Sequence, residues 1–235
     1  MDERQLLAEG LETLRLPATA KQLEQFIQFS KILIQKNQVM NLTAITNPMD
    51  VITRHFLDSA VLSSQITSKT IDIGTGAGFP GLPLAILNPD ISFTLLDAQR
   101  KRIDFIKQVV DALGLKNVQP VHGRAEEFAR QNRETFAYAV SRAVADLRVL
   151  SELCIPFVQP GGIFYAMKSQ GCIEEVTAAG EAIGLLGGAL KAITPYTIPC
   201  TEISHALVMI QKITPTAEKY PRRFARIQAA PLGGK

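Results

Sequence analysis

Glycines at alternate positions mark the most chemically informative segment of the chain, Ile71-Asp72-Ile73-Gly74-Thr75-Gly76-Ala77-Gly78-Phe79-Pro80-Gly81. An apolar run that ends in glycines and opens a helix lets the backbone approach a ligand closely and offers it free N–H groups. The spacing Gly76-x-Gly78-x-x-Gly81 fits the dinucleotide-binding fingerprint, and Asp97 lies where an acid is expected to bind ribose hydroxyls. The segment predicts a nucleotide cofactor site, although a purely structural turn would show the same glycines.

Two features of this loop argue against a pyrophosphate ligand. The glycine run already begins at Gly74, and Pro80 removes a donor amide where the anion would lie. S-adenosylmethionine carries no phosphate, its amino-acid end suits the loop 74–78, and Asp97 can accept both of its ribose hydroxyls. We expect Asp72 to support the loop from behind. S-adenosylmethionine is therefore the favoured cofactor, and a nicotinamide-dependent oxidoreductase is the alternative. The glycines predicted to contact the cofactor are Gly74, Gly76 and Gly78.

Polar and charged residues also follow the next predicted strands, at the sheet edge where open α/β folds bind ligands. Ala125 and Glu126 come after the third strand and are placed to hydrogen-bond adenine, although Glu126 could simply favour a helix N-terminus. Arg142 and Lys168 follow the fourth and fifth strands. Two cations there would suit an anionic substrate, but both could equally be solvated residues at strand ends.

Short apolar runs alternate with helical stretches from residue 69 onward, which is typical of an α/β protein with a mostly parallel sheet covered on both faces. The predicted strands are 70–73, 92–97, 118–122, 137–141, 162–168, 190–198 and 206–212. The predicted helices between them are 81–87, 99–113, 125–130, 145–154 and 172–183. The connection between the last two strands is too short for a helix, so we expect an antiparallel closing pair in a seven-stranded sheet.

Residues 1–66 are predicted to form a helical segment that packs on the sheet core. Apolar residues at helical spacing indicate a helix over 20–37 with Thr19 as its N-cap, and Asn47 precedes a second helix near 51–64. We therefore divide the chain into this segment (1–66), an α/β core (67–213) and a C-terminal tail (214–235).

Composition and charge exclude several classes of protein and indicate a binding partner. With 46% hydrophobic and 20% charged residues, the chain is neither collagen-like, disordered nor a disulfide scaffold. It shows no membrane-length apolar run and no signal peptide, so we expect a cytoplasmic protein without a membrane partner. Three cysteines without a Cys-x-x-Cys pair predict no metal site. Between Lys212 and Lys235 the chain has six basic residues and one acid, Glu218. That tail suits a polyanion such as RNA, and a merely solvated tail is the alternative.

Several motifs occur in a characteristic order along most of the chain. They are Asn41-Leu42-Thr43, Arg54-His55-Phe56-Leu57-Asp58-Ser59, the glycine segment, Leu95-Leu96-Asp97, Arg124-Ala125-Glu126-Glu127, Ser141-Arg142-Ala143, Met167-Lys168 and Lys219-Tyr220-Pro221-Arg222-Arg223. This order, with the ending Phe79-Pro80-Gly81, resembles the bacterial glucose-inhibited division protein B family rather than other class I methyltransferases. One departure is Ser169 after Lys168, where the family often has glycine.

The resemblance implies an S-adenosylmethionine-dependent methyltransferase that acts on N7 of a guanine in 16S ribosomal RNA, with a seven-stranded class I fold. The cofactor contacts that it implies are Gly74, Phe79, Asp97, Ala125, Glu126 and Arg142. The partner would be 16S rRNA or the small ribosomal subunit, and we expect a monomer. A non-catalytic, cofactor-sensing RNA-binding module is a third possibility, which predicts binding without turnover.

Guanine N7 has a lone pair and no proton to remove, so methyl transfer to it needs no general base and depends on positioning. Asn41 is the candidate for reading the base, although an Asn that ends a helix is equally expected. Phe79 could stack on RNA or pack under the first helix. The predicted catalytic residues are Asn41, Arg142 and Lys168. The predicted RNA-binding residues are Arg54, Lys168, Arg222, Arg223 and Arg226. Removing the tail is expected to weaken RNA binding more than cofactor binding.

Overall fold

The computed structural model describes residues 2–142 and 145–234, so Ala143 of the Ser141-Arg142-Ala143 motif lies outside the described residues. The described helices are α1 (Glu3–Thr13), α2 (Ala20–Met40), α3 (Pro48–Val51), α4 (Asp58–Ala60), α5 (Gly81–Leu87), α6 (Arg100–Leu113), α7 (Ala125–Phe128), α8 (Leu147–Cys154), α9 (Ile173–Ala178), α10 (Gly180–Leu185) and α11 (Phe224–Ala229). The strands are β1 (Thr70–Ile73), β2 (Phe93–Asp97), β3 (Val118–His122), β4 (Phe136–Ser141), β5 (Val158–Ser169), β6 (Gly188–Thr197) and β7 (Ser204–Lys212).

Within the described residues the strands form one seven-stranded sheet in the order β3-β2-β1-β4-β5-β7-β6. Strands β1 to β5 pair in parallel, whereas β7 runs antiparallel to both β5 and β6. Asp97 pairs with His122, and Ser169 pairs with His205 at the start of β7. The carboxyl ends of β1 to β5 and the amino end of β7 therefore share one edge. The predicted mostly parallel sheet with its antiparallel closing pair is confirmed.

The second predicted helix has a different form from the one expected. Instead of a regular helix over 51–64, α3 begins after its N-cap Asn47 and continues through a π-helical segment, Ile52–Leu57, into α4. Arg54 is exposed, whereas His55 and Asp58 are buried. The π-helical segment therefore directs two polar side chains into the protein, toward the shared edge of the sheet.

The N-terminal helices pack on one face of the sheet. Helix α2 begins at the predicted N-cap, where Thr19 and Gln22 bond each other's backbone N–H groups in a capping box. Its buried face carries Phe26 and Phe29, which join the same hydrophobic cluster as Leu82 of α5 and the side chains of α6. The helical segment and the sheet therefore share one continuous core.

The opposite face of the sheet is covered by helices α8 to α11. Their buried residues, including Leu150 of α8 and Ile227 of α11, form a second cluster with Ile71, Phe164 and Val208 of the strands. The C-terminal residues are therefore part of the packed protein and not a solvated extension. None of the described helices is both long and apolar enough to cross a lipid bilayer.

Candidate cofactor and substrate sites

The glycine loop after β1 has a shape that other residues would strain. Gly76 and Gly78 have φ angles of 61° and 96°, in the left-handed region. A Cβ atom on Gly78 would lie 2.3 Å from Cδ1 of Leu82, and Gly74 also has a positive φ. The N–H of Gly76 donates to Oδ2 of Asp97 at 3.0 Å, which ties the loop to the end of β2.

Asp72 supports this loop from inside the sheet, as the sequence predicts. Its Oδ2 accepts hydrogen bonds from Thr75 Oγ1 at 2.7 Å and from the N–H of Gly81 at 2.8 Å. Its Oδ1 is buried and has no hydrogen-bond partner among the residues that the structure describes. Burial raises the pKa of Asp72 to about 7, against the opposing effect of these two hydrogen bonds. Below that pH the carboxyl group of Asp72 is mostly neutral, so it accepts these hydrogen bonds from the loop without placing a charge in the interior.

A cavity of about 240 Å³ opens between the carboxyl ends of β1, β2 and β3. It is lined by Ile73, Gly74, Leu96, Asp97, Ala98, Gln99, Arg102, Gly123, Arg124, Ala125, Glu126, Leu153 and Phe224. Four predicted cofactor residues, Gly74, Asp97, Ala125 and Glu126, are thus brought around one space. Asp97 also accepts from the N–H of Gln99 at 2.8 Å and pairs with Arg102 at 3.2 Å, so its carboxylate is held at the cavity wall.

Phe79 is not the exposed aromatic group that one reading of the sequence predicted. Only 5% of its surface is exposed, because its ring packs under α2 and stacks on Phe29 and on His55. The guanidinium carbon of Arg142 lies 4.9 Å from the ring centroid. Stacking of this ring on RNA is therefore excluded, and Phe79 instead supports Arg142 from below.

Arg142 is fixed by groups of the π-helical segment and α4. Its Nη1 donates to Oδ2 of Asp58 at 2.9 Å, and its Nη2 donates to Nδ1 of His55 at 2.9 Å. Since arginine can only donate, His55 carries its proton on Nε2 and donates it to Oγ1 of Thr43 at 2.8 Å. Burial, together with the Arg142 charge, lowers the pKa of His55 to about 3. The imidazole is therefore a neutral acceptor that orients the guanidinium.

Asp58 connects Arg142 to strands β6 and β7 at one end of the sheet. Its Oδ1 accepts from the hydroxyl of Tyr196 and from Nδ1 of His205, each at 2.9 Å. Burial alone would raise the pKa of Asp58, but the hydrogen bond from His205 and the Arg142 charge hold it below its ordinary value. Asp58 is therefore an ionised carboxylate at the centre of a network that connects α4, β4, β6 and β7.

A second cavity, of about 510 Å³, lies beside this network at the ends of β4 and β5 and the start of β7. It is lined by Arg142, Ala145, Asp146, Met167, Lys168, Ser169, Glu175 and His205. Lys168 is only 8% exposed, and its ammonium group contacts Glu175 Oε1 at 2.6 Å and the carbonyl oxygen of Ala145 at 2.8 Å. The two cations expected at this edge are both present, and each is paired with a carboxylate: Arg142 with Asp58 and Lys168 with Glu175. The interpretation that they bind an anionic substrate stays a prediction.

The other predicted RNA-binding and catalytic residues lie outside both cavities. Arg54, Arg223 and Arg226 are exposed. Asn41 ends α2 in a left-handed conformation with φ of 48°, which is the helix-ending role that the sequence left open. The prediction that Arg222 binds RNA is wrong, because its guanidinium group pairs with the buried carboxylate of Glu152 at 2.6 Å and is not free.

A family model described as rRNA small subunit methyltransferase G matches residues 22–203. The chain is 45% identical over 233 residues to Ribosomal RNA small subunit methyltransferase G of Clostridium botulinum (strain 657 / Type Ba4), across 97% of this chain and 98% of that protein. The chain belongs to the rRNA small subunit methyltransferase G family.

Further comparisons agree with membership of the rRNA small subunit methyltransferase G family. The protein of that name from Alkaliphilus oremlandii (strain OhILAs) is 44% identical and matches 99% of this chain and 100% of its own length. Among solved structures, a variant of the 16S rRNA (adenine(1408)-N(1))-methyltransferase from Catenulisporales acidiphilia superposes with a TM-score of 0.52 at 13% identity. That match covers 68% of this chain and 92% of the other, and it shows the shared Rossmann-like methyltransferase fold.

Sequence reasoning missed several residues of this family member's sites. Asp58 lies inside a recognised motif without an assigned role, and nothing near His205 in the sequence predicts a partner for it. Their contact joins residues 147 positions apart, so only the fold could reveal it. Phe224, which lines the first cavity, lay within a tail that its charge alone assigned to RNA. Among the described residues, no group of three or more His, Cys, Asp or Glu side chains could hold a metal ion.

Proposed function

We propose that this protein transfers a methyl group from S-adenosylmethionine to N7 of a guanine in 16S ribosomal RNA. The observation that carries the proposal is the pair of cavities at one edge of the sheet. One is lined by the glycine loop and Asp97, and the other by Arg142 and Lys168. A family member with a nucleotide-type cavity beside a second cavity lined by polar residues has the parts that methyl transfer to a nucleobase requires.

The first cavity fits S-adenosylmethionine. The backbone of Gly74 lines it at a position where an added Cβ would meet nothing within 4 Å, so the space in front of this residue is open for a ligand. Asp97 presents a carboxylate for ribose hydroxyls, and Ala125 and Glu126 stand where adenine would lie among apolar side chains such as Leu96. When bound, S-adenosylmethionine supplies the sulfonium methyl group. Gly76 and Gly78 give the loop its shape and do not line the cavity, and Phe79 acts through Arg142.

The second cavity would hold the guanine. Arg142 is placed to donate to an acceptor such as O6, which lies beside N7 on the same base edge. The methylated ring gains positive charge, and a bare guanidinium would oppose that gain. Asp58 balances the Arg142 charge within 2.9 Å, so the pair can hold the base without repelling the product. Catalysis in this account is positioning, because N7 carries no proton to remove.

The remaining predicted residues have supporting roles in this proposal. Lys168 holds Glu175, which also accepts from the N–H of Leu147 at 2.7 Å, so these groups shape the wall of the second cavity. Asn41 is two residues from Thr43, the partner of His55, and remains our candidate for reading a base edge. The exposed Arg54, Arg223 and Arg226 would contact phosphates of the RNA. Residues 1–66 supply His55 and Asp58, which hold Arg142 at the second cavity, and residues 67–213 line most of both cavities.

The experiment is methyl transfer from radiolabelled S-adenosylmethionine to small-subunit RNA and to assembled subunits that lack the modification, followed by digestion to nucleosides. We expect the label in 7-methylguanosine. Label in another nucleoside would contradict the assigned atom. Cofactor binding with no label in either preparation would favour a non-catalytic RNA-binding module, and failure to bind the cofactor would overturn the proposal.

A further inference from the structure

The C-terminal residues 216–227 are fastened to the rest of the protein close to the cofactor cavity. Arg133, which follows α7, donates through Nη2 to the carbonyl oxygen of Thr216 at 2.6 Å and through Nη1 to the carbonyl oxygen of Tyr220. The N–H of Thr216 donates to Oε1 of Glu134 at 2.7 Å. These three backbone groups of the segment are therefore hydrogen-bonded to the side chains of Arg133 and Glu134, which lie between α7 and β4.

A buried ion pair fixes the next part of the segment. Glu152 of α8 is 0% exposed, and its two carboxylate oxygens accept from Nε and Nη2 of Arg222 at 2.9 and 2.6 Å. The backbone N–H of Arg222 donates to the same carboxylate at 2.8 Å. Such a forked contact fixes both side chain and backbone, so it determines where the chain leaves toward residue 224.

Phe224 emerges from this anchor at the mouth of the cofactor cavity. Its backbone N–H donates to Oε1 of Glu126 at 3.2 Å, so the segment also orients the predicted adenine-binding carboxylate. Its side chain lines the cavity together with Leu96 and Leu153, and the guanidinium carbon of Arg124 lies 5.7 Å from its ring centroid. An aromatic ring beside apolar side chains is a favourable surface for a nucleobase.

We propose that Phe224 forms the outer wall of the cofactor cavity and packs on the adenine ring, and that the anchored segment 216–227 holds it there. Arg222 and Arg133 are positioning residues that hold this wall in place. The inference rests on the proposed function, since it concerns the same S-adenosylmethionine site. The charge of the tail predicts that this segment matters more for RNA binding than for cofactor binding. The inference instead has the C-terminal segment contribute directly to cofactor affinity, through an apolar contact and not through its basic residues.

The test is calorimetric binding of S-adenosylhomocysteine and of 5′-methylthioadenosine, which lacks the amino-acid end. For Phe224→Ala we expect affinity for both compounds to fall by about tenfold, the scale of one lost base–aromatic contact. Phe224→Tyr, which keeps the ring, should stay within about twofold of the unmodified protein. Gln228→Ala is the matched control, because Gln228 is exposed on the same helix and outside the cofactor cavity.

Thermal unfolding without ligand verifies that each variant is folded, and Phe224→Leu replaces the alanine variant if that one is not. Unchanged affinity of the folded Phe224→Ala variant, or of Phe224→Leu where it replaces it, with normal binding by the unmodified protein, overturns the inference and leaves the proposed function standing. Equal losses in Phe224→Ala and Gln228→Ala also overturn it. If the unmodified protein binds neither compound, the proposed function itself fails, and the inference with it.

Discussion

The two cavities lie at the same edge of the sheet, yet their positions are fixed in different ways. The cofactor cavity is shaped by backbone: a glycine loop is tied through Gly76 to Asp97, only 21 residues away. The cavity that we propose for the substrate is organised by charge: Asp58 holds Arg142, Tyr196 and His205 from positions 84, 138 and 147 residues away. The contact that anchors the glycine loop can therefore form as soon as β1 and β2 pair. The network around Asp58 forms only when α4, β4, β6 and β7 are all in place.

This difference predicts different failures when each site is altered. A change at Gly74 of the glycine loop should prevent cofactor binding and leave the fold intact, because an added Cβ at this position meets no other group within 4 Å. A change in the charged network should leave the cofactor bound and impair catalysis, because its members, which orient the base-side residues, are not among the described residues that line the cofactor cavity.

The largest effect is expected from Gly74→Arg. A side chain at this position projects into the cofactor cavity, so we expect affinity for S-adenosylhomocysteine to fall below detection by calorimetry. Gly114→Arg is a matched control: Gly114 also has a positive φ and open space around it, but it ends α6 away from both cavities. Both variants should lose about 1–2 kcal/mol of stability through backbone strain. Normal cofactor binding by Gly74→Arg would contradict the assignment of the loop.

A smaller effect, confined to turnover, is expected from Asp58→Asn. This change leaves the Arg142 charge unbalanced and its guanidinium less constrained, so we expect kcat to fall by about 10- to 100-fold. The KM for S-adenosylmethionine should stay within about twofold, because Asp58 lies outside the cofactor cavity. Initial rates with each substrate varied in turn measure both constants.

Tyr196→Phe is the companion variant, because it removes one hydrogen bond to Asp58 and keeps the ion pair with Arg142. We expect its kcat to fall by no more than about threefold, in line with the loss of one hydrogen bond. An Asp58→Asn variant that raises the KM for the cofactor with kcat unchanged would show that the two sites are not separate.

The two regions should also give opposite dependence of stability on pH. Asp72 has a pKa of about 7 when folded and 3.8 as its ordinary value, so the folded state keeps a proton and stability falls as pH rises between these values. His55 has a pKa of about 3 when folded against 6.5, so the unfolded state binds the extra proton and stability falls as pH decreases through that range. From about pH 4 to 6.5 the two contributions oppose each other.

Asp72→Asn and His55→Gln separate these contributions. Urea unfolding at pH 4.5, 5.5 and 6.5 should show stability rising with pH in Asp72→Asn more steeply than in the unmodified protein, by up to about 1.4 kcal/mol per pH unit. His55→Gln should shift the slope in the other direction. Because all other groups are common to both variants, identical slopes would contradict the two pKa assignments.

The smallest effect is expected from the exposed arginines. Arg54→Ala and Arg223→Ala should each weaken RNA binding by about two- to fivefold and reduce the salt dependence by roughly one counterion. Cofactor affinity should not change. Lys116→Ala is the control, since Lys116 is exposed before the amino end of β3, at the opposite edge of the sheet. A similar loss in the control would mean that these arginines bind RNA only through the net charge of the protein.

The sequence could predict the strands, their order of appearance and the glycine loop, because these depend on local apolar runs and on residues close in the chain. It could not predict that Lys168 pairs with Glu175 or that Arg222 pairs with Glu152, since a cation at a strand end and one in a basic tail look the same whether free or paired. It also assigned the tail by charge, whereas Phe224 and Ile227 determine where the tail packs.

The most direct test of the account is a crystal structure with S-adenosylhomocysteine bound. The account predicts the adenine beside Glu126 and Phe224, the ribose hydroxyls on Asp97, and the sulfur directed toward the cavity lined by Arg142 and Lys168. If the adenosine part of S-adenosylhomocysteine were bound in that second cavity, or if its ribose were held by groups other than Asp97, the division of the sheet edge into a cofactor side and a substrate side would be contradicted.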